Sequence, residues 1–141
     1  MSHTASRSPF LEFLVGIINV PRELWKRLVN ITRGVKDISP SVAQAYIQRN
    51  GAFILDVREQ KEYDLGHVPN SVLIPVGQLE QRVSDIHDQR NRTIVVICHG
   101  GKRSATACQI LSQYGFKEPL NIAGGILAWK KAKLPVEIQG L

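Results

Sequence analysis

The chain has 141 residues, 43% of them hydrophobic and 6% aromatic, and a formal net charge of +6. This suits one globular domain with a modest extension and excludes a disordered or fibrous protein. The charge is uneven, +4 over residues 1–36 and +2 over the rest. With no basic-and-aromatic stripe in the main body, nucleic-acid binding is not expected.

The first 36 residues form a basic extension, and the main domain is expected over residues 37–141. Over residues 10–31, Phe10, Phe13, Leu14, Ile17, Ile18, Leu24, Trp25, Leu28 and Ile31 recur at helical spacing. Pro21 interrupts the stripe, which predicts one helix up to Asn19 and a second from Pro21 that ends before Gly34. The apolar stretch from Phe10 to Val20 is about half the roughly 20 residues needed to cross a bilayer. It also contains Glu12 and Asn19, so no membrane span is expected. A secretory signal is not expected either, because a basic helix follows without a small-residue cleavage site. Two roles stay open for the apolar face: packing on the domain or on a second copy as a homodimer contact, or lying on an anionic membrane surface.

From Asp37 onward, helices and strands alternate. Ser39 is a candidate N-cap, Pro40 suits the first helical position, and the Asn50-Gly51 pair closes that helix. Short apolar runs predict strands at "AFILDV" and over residues 71–75, 93–98 and 118–123, with helices near 60–65, 77–89, 104–114 and 125–132. Such alternation predicts an α/β fold whose mostly parallel sheet is covered by helices on both faces. Ligands of these sheets bind beyond the carboxyl ends of the strands, where Cys98 and the segment Asp56 to Arg58 fall.

"CHGGKRS" follows the apolar run Ile94 to Ile97 directly. A thiol reacts as the thiolate, and an ordinary cysteine has a pKa of about 8.5, so a nucleophile needs surroundings that favour the anion. Gly100 and Gly101 allow the loop to curl its amides toward Cys98, and a helix beginning near Ser104 aims its positive end at the same point. Lys102 and Arg103 add full charges on the route of an anionic substrate. Cys108 lies among apolar residues of the following helix and reads as core. With two cysteines, no Cys-x-x-Cys pair and no zinc-spaced cluster, neither disulfides nor a metal site are expected, and a reducing cytoplasm is the default location.

Three stretches, "ILDVREQKEYDLGHVPNSVLIP", "IVVICHGGKRSATACQILSQYGF" and "LNIAGGILAWKKAKLPVE", resemble successive signatures of the single-domain rhodaneses. The resemblance implies a rhodanese-like fold with a five-stranded, mainly parallel sheet. It implies a sulfurtransferase with Cys98 as the persulfide-carrying nucleophile and His99, Gly100, Gly101, Lys102, Arg103 and Ser104 as its binding loop. By the same resemblance, sulfane sulfur would pass from a small anionic donor such as thiosulfate to a thiol or cyanide acceptor, without metal or organic cofactor. Asp56 and Arg58 match the family's Asp-x-Arg, and His67 its Gly-His-hydrophobic-Pro turn; all three are expected to support the site structurally. Asn70 stands where glycine is usual, and asparagine tolerates the left-handed region. His99 stands where arginine is common, which leaves one fixed charge fewer.

Cysteine-dependent phosphatases and arsenate reductases on a related fold are the enzymatic alternative. Their loops hold five residues between cysteine and arginine, sized for a tetrahedral oxyanion, whereas Cys98 and Arg103 enclose four. A non-enzymatic interaction module is the third reading, and the intact cysteine loop speaks against it.

Overall fold

Residues Thr93–Ile97 explain the architecture, because successive side chains of a strand alternate between its two faces. Ile94, Val96 and Cys98 enter one apolar cluster, while Val95 and Ile97 enter another. A strand buried on both sides needs a layer on each.

The computed structural model describes residues 34–140 together with Pro21, Arg22, Leu24, Trp25 and Leu28. The chain divides into two compact units, Met1–Gly34 and Val35–Leu141. In the first, Arg22, Leu24, Trp25 and Leu28 are helical. The Trp25 amide donates to the Pro21 carbonyl at 2.9 Å, as expected of a helix that starts at proline. The remainder of the stripe over 10–31, including the helix expected up to Asn19, lies outside the described residues. No helix among the described residues is long and apolar enough to cross a membrane.

The second unit runs β1 (Lys36–Ile38), α1 (Pro40–Asn50), β2 (Phe53–Asp56), α2 (Gln60–Asp64), β3 (Val72–Leu73), α3 (Leu79–Arg82), β4 (Thr93–Ile97), α4 (Lys102–Gln113), β5 (Glu118–Ile122) and α5 (Gly125–Lys131). The strands form one five-stranded sheet in the order β1-β5-β4-β2-β3, and every pairing is parallel. The chain leaves β2 toward β3, returns to β4 on the other side of β2, and continues outward to β5. The direction of winding therefore reverses between β2 and β4, where α/β sheets open their ligand crevice. Cys98 follows β4 at that place.

One cluster joins β4 and β2 to α4 through Ala105, Ala107, Cys108 and Leu111. The other joins the opposite face to α1 and α5 through Ala43, Ile126 and Trp129. Helix α1 is capped as expected: the Ser39 hydroxyl accepts from the Val42 amide at 3.2 Å, Pro40 opens it, and Gly51 closes it at φ 60.

Three elements differ from expectation. Strand β1 was not foreseen, being three residues long with Lys36 exposed. The helix expected over 77–89 is a 3-10 turn at Val76–Gln78, the short α3, and a second 3-10 segment at Val83–Gln89. The strand expected over 71–75 narrows to Val72–Leu73 before Pro75. Asn70 adopts φ 65, the left-handed conformation expected of it.

Candidate active site

Cys98 is 1% exposed, and its sulfur faces the inside of the loop that follows β4. The Gly101 amide donates to Sγ at 3.0 Å, and the Ser104 hydroxyl lies 3.2 Å from it. Gly101 carries the curl at φ 99. Gly100 does not share that conformation, and a Cβ there would meet nothing within 4 Å. The loop therefore needs one of its two glycines for conformation, not both. His99, Gly100 and Lys102 are exposed above the buried sulfur. Helix α4 begins at Lys102, two residues earlier than expected, so Ser104 sits within its first turn.

The loop is shaped from below by the start of α5. The Ile126 amide donates to the Cys98 carbonyl at 2.8 Å, and the Leu127 amide to the His99 carbonyl at 3.3 Å. The Cys98 and His99 carbonyls are thus held by α5, while the Gly101 amide of the same loop faces the sulfur.

Arg103 is half-buried and bidentate to Glu62, each nitrogen at 2.8 Å from a carboxylate oxygen. Glu62 also accepts from the Glu59 amide at 2.9 Å, which completes a capping box on α2. The Arg103 hydrogen bonds hold the Glu62 carboxyl at about 2, helped by the Glu59 amide and the charges of Arg103 and Arg58 and opposed by burial. The same pair pushes the Arg103 guanidinium up. Arg103 thus fastens the sulfur loop to α2, a contact between positions too far apart in sequence to foresee.

Asp56 and Arg58 are 0% and 3% exposed and form a buried ion pair at 2.8 Å. Arg58 also donates to the carbonyls of Gly66 at 2.7 Å and Glu62 at 3.3 Å. His67 stacks on Tyr63 with ring centroids 3.7 Å apart, and its Nδ1 meets the Tyr63 carbonyl at 2.9 Å. Backbone bonds of 2.9 and 2.8 Å tie His67 to Glu137 in the C-terminal segment. These contacts brace the segment beside the sulfur loop. Arg58→Ala leaves a buried carboxylate without its cation and is expected to lower unfolding stability by about 3–5 kcal/mol. Urea denaturation checks this, and a loss under about 1 kcal/mol would place the pair among weak surface contacts.

Behind the sulfur stand two residues that sequence reasoning missed. The Ser104 hydroxyl donates to Asn121 Oδ1, and Asn121 Nδ2 donates to Asp37 Oδ1 at 2.8 Å and to the Gly101 carbonyl at 3.2 Å. A signal for Asn121 existed: a polar residue interrupts the apolar run of β5. Both cysteines are free thiols. Cys108 is buried, and its pKa is pushed up, first by that burial and then by the nearby Asp37 carboxylate, which suits a core thiol. Among the described residues no group of three or more His, Cys, Asp or Glu side chains could hold a metal.

Residues 39–132 match the family model of the rhodanese-like domain. A sulfurtransferase of Allochromatium vinosum is 33% identical over 98 residues, covering 70% of this chain and 90% of that relative. YrkF of Bacillus subtilis, named as a sulfur carrier protein, is 41% identical over 76 residues, or 54% of this chain, and the match spans 40% of its length. The crystal structure of a rhodanese-related protein from Thermoplasma volcanium, 33% identical, aligns with a TM-score of 0.65 over 74% of this chain and 99% of its own.

Proposed function

The chain belongs to the rhodanese-like family, and from that premise we propose that it is a sulfurtransferase working through a persulfide on Cys98. The observation that carries the reading is the Gly101 amide donating to Cys98 Sγ at 3.0 Å inside a loop of four residues closed by Arg103. Relatives named for sulfur transfer and sulfur carriage support it.

The reaction is a double displacement. The Cys98 thiolate attacks the sulfane sulfur of an anionic donor such as thiosulfate. The new S–S bond forms as the donor's S–S bond breaks, and sulfite leaves with the electron pair. The terminal sulfur carries the negative charge and faces the loop amides, which act as an anion cradle. A thiolate or cyanide acceptor then takes that sulfur and returns Cys98 to the thiolate. Lys102, exposed at the rim, attracts the donor. Arg103 contributes mainly by holding the loop against Glu62.

Intact-protein mass spectrometry after thiosulfate treatment tests the reading, with one added sulfur confined to Cys98 as the expected result. No adduct from thiosulfate or other sulfane donors would overturn it, and phosphate or arsenate turnover in its place would favour the oxyanion chemistry.

A further inference from the structure

The polar chain behind Cys98 has a direction. Asn121 is 2% exposed, and its Nδ2 faces the Asp37 carboxylate and the Gly101 carbonyl. Both partners accept, so the amide nitrogen must face them and Oδ1 must face Ser104. Oδ1 can only accept as well. A hydroxyl has one proton, so Ser104 gives its proton to Asn121 and turns its lone pairs toward Cys98 Sγ. The thiol completes this arrangement by donating S–H to the Ser104 oxygen. A thiolate has no such proton. Its lone pairs would then face those of Ser104, unless the hydroxyl turned to the sulfur and left Asn121 Oδ1 buried without a donor.

Building on the sulfurtransferase reading, we propose that Asn121, oriented by Asp37, is a positioning residue that points the Ser104 hydroxyl away from Cys98 and so restrains the resting sulfur as a thiol. The restraint acts through Ser104 alone. Replacing Asn121 with an apolar side chain removes the acceptor, and the hydroxyl then finds the sulfur as its nearest partner.

The test measures Cys98 alkylation by iodoacetamide in the full chain, which requires no sulfur donor and therefore reads the restraint separately from transfer activity. Asn121→Leu and Asn121→Val are each expected to react about tenfold faster near neutral pH, since a hydrogen bond to a charged group favours the thiolate. A structural lesion would also expose Cys108, so Cys108 must stay unlabelled. The gain must vanish when Ser104→Ala is added. Arg103 and Cys108, which interact electrostatically with Cys98, are unchanged in every variant. An unchanged or slower rate in a folded variant, or a gain that survives Ser104→Ala, overturns the proposal. Ser104→Ala alone supplies a second reading that does not disturb β5: a rate no slower than wild type is expected, and a tenfold slower one would mean that the hydroxyl already donates to the sulfur.

Discussion

Cys98→Ser is expected to leave a folded protein whose sulfane-sulfur transfer falls by at least about a thousandfold. The fold survives because a serine hydroxyl can use both neighbours of the sulfur, accepting from the Gly101 amide and sharing a hydrogen bond with Ser104. The apolar cluster beneath loses a polarizable sulfur and no volume that leaves a cavity. Stability should therefore change by no more than about 1 kcal/mol. The chemistry does not survive, because an alcohol is not ionised near neutral pH and an oxygen cannot carry the sulfane sulfur as a stable intermediate. Steady-state transfer from thiosulfate to cyanide and the mass of the treated protein check the two halves together. Retained transfer in this variant would remove Cys98 from the mechanism. Loss of both the fold and the transfer would leave the cysteine a structural residue.

The cysteine loop was legible because everything that identifies it is local. Strand, thiol, glycines, cations and helix start occupy consecutive positions, and the structure keeps that order. What escaped was contact across the sheet. Asp37 reaches Asn121 only because β1 pairs with β5, and β1 is too short, with two of its three residues charged, to announce itself. From sequence Arg103 is a loop cation on the route of an anionic substrate, and its ion pair stays hidden because its partner Glu62 belongs to another helix. The segment after β3 shows a different limit. Leu79 and Ile86 do enter the core and the half-buried Val76 and Val83 pack against it, but three- and four-residue spacing serves 3-10 turns as well as an α-helix. The pattern located the buried side and could not set the helical pitch.

Gly125→Ala should damage the site more than any substitution outside the loop itself. Gly125 holds φ 60, and a Cβ there would lie 2.4 Å from the His99 carbonyl oxygen and 2.5 Å from that of Cys98. Both atoms are backbone, so no side-chain rotation relieves the overlap. Either α5 backs away from the loop or the loop lifts from α5, and in each case the amides of Ile126 and Leu127 lose the Cys98 and His99 carbonyls. Those bonds anchor the loop whose Gly101 amide faces the sulfur, so the strain reaches that contact directly. The overlap and the left-handed backbone together predict a loss of about 3 kcal/mol or more in stability. A displacement of about 1 Å at the reacting atoms predicts a fall near a hundredfold in persulfide formation. Gly100→Ala is the matched control, since a Cβ there meets nothing within 4 Å, and it should retain both stability and transfer. Denaturation curves and adduct formation on the two variants separate a requirement for close backbone approach from a general need for glycine near the cysteine. If Gly125→Ala behaves like Gly100→Ala, α5 does not shape the loop, and the cradle must be held by Gly101 and the Arg103–Glu62 pair alone.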